Sequence, residues 1–400
     1  MTHAISVGQR RARLMLRHQL TGPAESVADA ADAMIALHAS DPLTVYLSAW
    51  ARVQGCGAAD IDAALYADRA LVRMLGMRRT MFVVPAALAP AVQRACTDDV
   101  AARLRRGLER DLARFGPDGA SAIGGADPAR WLREAGDGAL AALAKRGSAS
   151  GAELSADEPR LRTQLFAAPG KEYGGPAAVN ITSRVLMLLS AEGLIVRGHR
   201  RGGWSSGQFD WFPVESWRPG LSRTSLDAAA ARADLARRWL LTFGPAPASD
   251  LQWWTGWSWA QVKATLKALP VAEVDLEGQP GVALASDLDV QPAPPPRAVL
   301  LPGLDPTPMG WQSREWFLGH HVTWLRDRSG NIGPTAWWDG RVVGGWAQRA
   351  SGEVVFRLLE DAGADARAAV AAEAARLESW LGQSRVTPRF RTPLERELSA

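Results

Sequence analysis

Apolar residues return at offsets of three and four through much of the chain. SVGQRRARLMLRHQL, residues 6–20, predicts a helix with Val7, Leu14, Leu16 and Leu20 among its apolar positions and Arg10, Arg11, Arg13 and Arg17 decorating it. AESVADAADAMIALHAS repeats Val27, Ala31, Met34, Ile35 and His38 at helical spacing, predicting a second helix that runs to His38. Asp41-Pro42 then reads as an N-cap followed by proline in the first turn, opening a third helix with Leu43, Tyr46, Leu47, Trp50 and Val53 on one face. After more helical sequence, MRRTMFVVP at 77–85 switches to a β-like run ended by Pro85. Three helices and a strand make a winged-helix-like unit.

The pattern recurs twice. After Gly138, ALAALAKRG, SASGAELSA and NITSRVLMLLSAEG read as three helices, and LIVRGHRRGGWSSGQFDWFP as two β-like arms around a Gly/Ser-rich tip. ARADLARRWLLTFG, PASDLQWWTG and SWAQVKATLKAL repeat the order, followed by VAEVDLEGQPGVALAS with a glycine-rich turn between alternating arms. GPDGASAIGGADP at 116–128 and QPAPPPR at 291–297 read as linkers. In the last hundred residues Asp339-Gly340 between apolar arms predicts a hairpin, and an alanine-rich helix follows from about Gly363 to Leu381. The expected fold class is α+β: three tandem winged-helix domains at 1–118, 129–215 and 226–290, and a C-terminal α+β domain with a β-rich element at 298–400.

Composition narrows the setting. At 400 residues the chain exceeds one ordinary core, and 47% hydrophobic with 22% charged residues describes a globular protein that folds in water. No run of about 18 apolar residues suggests a membrane span, and the N-terminus lacks the apolar stretch of a secretory signal, so the expected location is cytoplasmic. Only Cys56 and Cys96 are present, which predicts two buried thiols, and no Cys/His spacing resembles a metal site. No metal or cofactor is expected. The net charge is only +4, but nearly all the basic residues are arginine, whose planar fork grips phosphate bidentately.

GLIVRGHRRGGWSSGQF, residues 193–209, carries Arg197, His199, Arg200, Arg201 and Trp204 without an acidic residue. It reads as a wing that grips phosphates, with Arg184 on the preceding helix facing a groove; the competing reading is a solvated hairpin with Trp204 folded against the core. Arg103, Arg105, Arg106, Arg110 and Arg114 form a second basic stretch, interrupted by Glu109 and Asp111, that reads equally as a salt-bridged surface. WWTGWSW at 253–259 offers aromatic faces to unpaired bases, yet Trp253 and Trp257, four apart, read first as core. GKEYGG at 170–175 lacks phosphate-loop spacing, and no GxGxxG or GxSxG framework stands between a strand and a helix. His38-Ala39-Ser40-Asp41 has two readings: a helix end followed by the cap of the next helix, or a reactive centre.

IALHASDPLTVYLSAWARV, MRRTMFVVP, FGPAPASDLQWWTG, LLPGLDPTPMGW, GNIGPTAWWDGRVVGGWA and PRFRTPLERE together resemble the bacterial winged-helix DNA glycosylases of the AlkZ and YcaQ type, over nearly the whole chain. The resemblance implies tandem winged-helix units curved around duplex DNA and excision of bulky alkylated bases or unhooking of interstrand crosslinks. In that family a glutamine-x-glutamine or glutamine-x-aspartate pair supplies the catalytic site; here His38 and Ser40 occupy its place. Arg79 and Phe82 likewise stand where the family often has glycine and histidine. The implied chemistry is monofunctional hydrolysis of an N-glycosidic bond, since no lysine lies near the motif in sequence, although Lys145 or Lys171 can approach in the fold. His38 would accept a proton from water, Ser40 orient it, and Asp41 cap the helix or lend negative charge. On that reading activity fades below a pKa of about 6.5. Arg78, Arg79 and Thr80 are expected beside the site or a DNA phosphate, with a buried ion pair as the alternative. The expected partner is double-stranded DNA, damaged or drug-adducted, and the chain is read as a monomer. A DNA-binding regulator or lesion sensor without catalysis, and a tryptophan-rich protein that sequesters an intercalating antibiotic, are the competing functions.

Overall fold

The computed structural model describes residues 3–116, 120–166, 178–221 and 226–400. Lys171, the whole GKEYGG stretch and positions 117–119 of the first linker lie outside the described residues. Strand β1 (His3–Ala4) leads into helix Val7–Arg17, whose N-cap Ser6 accepts from the Gln9 amide. The second predicted helix stops early, at Val27–Ala33. Ile35 then takes φ 64°, and Leu37–His38 become strand β2. Met34, Ile35 and Leu37 are buried on every side, and such a short apolar run has no periodicity to separate strand from helix. His38 therefore sits on a strand and not on a helix face.

Asp41 caps helix Pro42–Trp50 as expected. The following stretch, taken from sequence as further helix, contains strand β3 (Leu71–Leu75), all of whose residues are buried and so show no alternation. A tight turn over Gly76–Thr80 joins it to β4 (Met81–Pro85). The sheet order is β2-β4-β3, with His38 opposite Phe82 and Leu37 opposite Val83, which in turn faces Arg73. Cross-strand partners share a face, so His38 and Arg73 lie on opposite faces of this sheet. The long arginine-rich helix Asp98–Arg114 follows.

In the next segment helix Pro128–Arg146 begins earlier than its sequence pattern suggests, because Asp127 caps it and Pro128 fits its first turn. Helix Gly151–Asp157 is opened by a Ser150–Glu153 capping box. The short strands β5 (Gln164–Phe166) and β6 (Ala178–Asn180) pair ahead of helix Thr182–Ala191. β7 (Ile195–Arg200) and β8 (Phe209–Pro213) then form the predicted hairpin. Helices Ala228–Phe243, Ala248–Thr255 and Trp259–Lys267 and the hairpin β9 (Val271–Leu276) and β10 (Gln279–Leu284) repeat that order. β1 adds to β9 in parallel, so the N-terminus joins this later segment.

The C-terminal sheet runs β11 (Ala298–Leu301), β12 (Thr335–Trp338), β13 (Arg341–Gln348), β14 (Val354–Leu358) in spatial order. Asp339 and Gly340 make the predicted turn with φ 50° and 74°, the left-handed pair that a two-residue hairpin requires. Helix Ala364–Leu381 covers β11 and β14. One apolar cluster unites the first, third and C-terminal segments and takes in Ala191, Val196, Val214 and Trp217, while other core residues, from Leu108 to Trp211, form a second cluster. Through the larger core runs a polar seam. Arg52 and Asp305, both fully buried, pair at 2.7 Å; Ser48 and the Thr307 amide also donate to Asp305, and His18 Nδ1 meets Thr307 Oγ1 at 2.9 Å.

Candidate active site and basic surfaces

β2 and the start of helix Pro42–Trp50 place His38, Ser40 and Asp41 together. The Ser40 N–H donates to His38 Nδ1 at 3.4 Å, and Phe82 meets the imidazole edge-on at 5.4 Å. A ring nitrogen that accepts carries no proton, so in this tautomer the proton sits on Nε2. His38 is 5% exposed; burial first, then the charge of Arg78, push its pKa down to about 3, with Asp305 working in the opposite direction. The ring is thus neutral, with Nε2–H as a hydrogen-bond donor.

Asp41 has both oxygens committed. Oδ1 accepts from the Leu43 amide at 3.1 Å, and Oδ2 from the Arg389 amide at 2.7 Å. These bonds make it the cap of the helix and a tether to the C-terminal segment. Arg389 Nη1 also donates to the Ser40 carbonyl at 3.1 Å. The cavity beside Asp41, lined among others by Thr44, Pro302 and Gln348, measures ≈ 10 Å³, room for about one water.

Arg78 lies near His38 on the turn after β3. Arg78 and Arg79 take φ 54° and 62°, positions where non-glycine residues carry strain. No ion pair holds Arg78 among the described residues. Its guanidinium lies 3.8 Å from the Trp253 ring, Arg314 lies 5.0 Å from the same ring, and burial lowers the pKa of Arg78 to about 10. Trp253 is therefore a half-buried platform for two arginines. Trp257 is core, as expected, but it follows the helix, beyond Gly256, and donates from Nε1 to the Ala95 carbonyl at 2.8 Å. Arg79 is exposed and Thr80 half-buried.

The basic wing is more internally bonded than its acid-free sequence implies. Arg184 pairs with Asp111, and Arg201 with Glu153 and Asp210, both at 2.7 Å. Arg200 donates to the Tyr66 hydroxyl (3.1 Å) and to the carbonyls of Trp204 and Ser206 (2.9 and 2.6 Å), clamping the wing tip. Trp204 packs against Tyr46 and Trp380, and exposed His199 against Tyr66, Phe212 and Trp217. The partners lie outside the 193–209 window: Asp210 just beyond it on β8, and Asp111 and Glu153 on other helices. The helix Asp98–Arg114 shows the reverse. Arg105 pairs with Glu192, but Arg103, Arg106, Arg110 and Arg114 have no ion pair among the described residues. They line two open grooves of ≈ 760 and ≈ 620 Å³ that share Arg103 and Arg106, and the second reaches Gly256 beside Arg78. Arg73, Arg389, Arg52 and Asp305 went unnoticed in the sequence; for Arg73, Arg52 and Asp305 an isolated charge in an apolar run was the only signal.

Cys56 and Cys96 are buried free thiols, raised by burial to about 11 and about 12. No group of three or more potential metal ligands occurs among the described residues, and none of the described helices is long and apolar enough to cross a membrane.

Repeated three-helix-and-hairpin segments edged by free arginines define a class of α+β nucleic-acid-binding proteins. Within it the chain belongs to the DNA glycosylase AlkZ-like family, whose model matches residues 31–380. Membership makes it a DNA-binding repair glycosylase, a hydrolase of DNA N-glycosidic bonds. The fold is similar to that of the Streptomyces sahachiroi DNA glycosylase AlkZ, with TM-score 0.73 at 21% identity over 96% of this chain and 98% of that one. No curated protein matches the chain.

Proposed function

We propose that the chain excises bulky alkylated or crosslinked bases from duplex DNA by hydrolysis, leaving an abasic site, with His38 and Ser40 on the attacking water. The observation that carries this reading is the position of that pair at the end of β2, beside Arg78, within a chain matched to the family from residue 31 to 380. As the glycosidic bond breaks, positive charge grows on the deoxyribose. A neutral imidazole is suited to that moment because an imidazolium would repel the developing cation. His38 Nε2–H donates to the water oxygen, the Ser40 hydroxyl accepts one of its hydrogens, and the freed proton leaves to solvent. A base alkylated at purine N7 is already a good leaving group, so a strong acid or nucleophile is dispensable.

Three winged-helix units, within 1–118, 129–215 and 226–290, and the C-terminal unit 298–400 hold the duplex in this reading. The β2-β4-β3 order, with Gly76–Thr80 as a wing, supports the first of them. The furrow lined by Arg103, Arg106, Arg110 and Arg114 supplies the phosphate track, with Arg78, beside Gly256, near its end.

The test is incubation with alkylated or crosslinked duplex followed by alkali. Strand breaks are expected from the wild type and none from His38→Ala, while His38→Gln, which restores the family's residue, retains them. The near-complete burial of His38 favours one rival, a lesion-binding protein without catalysis. Tight binding with no alkali-labile sites would establish that rival.

A further inference from the structure

Of the other deeply buried arginines, Arg52 pairs with Asp305 and Arg13 with Asp287, while Arg10, which lacks an ion pair too, lies over the Trp316 ring at 4.1 Å. Arg73 has neither kind of partner among the described residues. It is 6% exposed, Nε and Nη2 have no hydrogen-bond partner, and no ion pair reaches it among the described residues. The charges around it are those of Arg200 and Arg197; Tyr66 is a hydrogen-bond partner of its side chain, and Tyr46 is the other titratable group close by. Asp62, on the same side, accepts the Tyr46 hydroxyl. β3, which carries Arg73, packs directly on β7, which carries Arg197. Arg197 is held over the Phe209 ring at 4.4 Å, its Nε is unpartnered, and its one hydrogen bond is a weak 3.9 Å contact to Met187 Sδ. Arg389 comes from the C-terminal segment. It is anchored to the Ser40 carbonyl by Nη1, while Nη2 reaches the wing tip at Gly207, 3.4 Å from where a Cβ there would sit. Burial, followed by the charge of Arg200, lowers the pKa of Arg73, and burial, followed by Arg73 and Arg389, lowers that of Arg197 to about 10; arginine side chains keep their charge in proteins.

A buried guanidinium whose charged neighbours are other arginines is costly, and it normally finds a counter-charge. We propose that Arg73, Arg197 and Arg389 form a binding site for one phosphate-class oxyanion, at the junction of the first sheet, the wing and the C-terminal segment. The fork geometry of arginine suits a tetrahedral oxyanion, and an occupant here bridges three parts of the chain that otherwise repel. An anion so bound locks the wing against the sheet whose strand β2 carries His38. The oxyanion site stands on the unpartnered nitrogens of Arg73 and Arg197 and on the packing of β3 against β7; that a DNA phosphodiester fills it rests on the glycosylase reading.

The experiment measures the thermal midpoint against inorganic phosphate, with chloride at matched ionic strength. The wild type is expected to show a saturable rise with phosphate beyond that with chloride, and Arg73→Met to lose that rise while melting higher than the wild type without phosphate. Arg197→Met provides the same readout should Arg73→Met fail to fold. Phosphate acting no better than chloride on the wild type, or equally on the variants, overturns the site. The source is read from binding of an undamaged duplex. A salt slope shallower by about one in Arg73→Met identifies a backbone phosphodiester, whereas an unchanged slope identifies a free phosphate ion. Failure to detect abasic sites sinks the glycosylase reading and leaves the phosphate response standing.

Discussion

At His38, burial and the nearby Arg78 hold the imidazole neutral down to about pH 3. Excision is therefore expected to stay level from pH 8 to 5 in single-turnover rates, in contrast to the decline near 6.5 that a free histidine base would give. A drop centred near 6.5 would restore His38 as the base. Stability behaves differently. His18, fully buried beside Arg52, is also pushed down to about 3 by burial and then by that charge. The unfolded chain binds a proton at each of these histidines near pH 6.5 and the folded chain does not, so their contribution is complete above 6.5. It falls as pH drops toward 3, by about 1.4 kcal/mol per pH unit for each group. Melting curves from pH 7 to 4 should show that fall, and His18→Gln should make it shallower; an unchanged slope would mean that His18 titrates normally.

Among the elements, those with clear caps and turns were legible and the buried strands were not. Asp41, Ser150–Glu153 and Asp339-Gly340 act through their own neighbours, and the structure has each where the sequence put it. β2 and β3 are buried throughout, so their patterns resembled helix interiors. Charge was legible only as composition. The acid-free wing turned out bonded to Glu153, Asp210 and Tyr66, while the interrupted helix Asp98–Arg114 carries the free cations. Arg106→Glu is accordingly expected to weaken duplex binding at least tenfold and to reduce its salt dependence, read by fluorescence anisotropy at several salt concentrations. Arg201→Glu, at an already paired site, should change binding less. The opposite ranking would move the DNA track to the wing.

At the scale of the whole molecule, two crossties bind the first and third segments to the loop at 302–313. One is the Arg52–Asp305 pair; the other is Asp250, whose Oδ1 accepts from the Gln312 and Ser313 amides, each at 3.0 Å. Removing one partner of a buried pair strands the other charge. Asp305→Asn should therefore destabilise the fold by about 3–5 kcal/mol, a large part of a typical total of about 5–15 kcal/mol, as measured by urea unfolding. A loss below about 1 kcal/mol would mean that water enters the seam.

The sequence by itself determined the α+β class, the repeated order of three helices and a hairpin, the C-terminal turn and helix, and the cap at Asp41. Each of these is set by residues within a few positions of one another. Only the tertiary structure decided the burial of His38, which arginines lack an ion pair, and the packing of β3, with Arg73, against β7, with Arg197. Electrostatics acts through space, between groups that folding brings together from distant parts of the chain, and no local pattern encodes those distances.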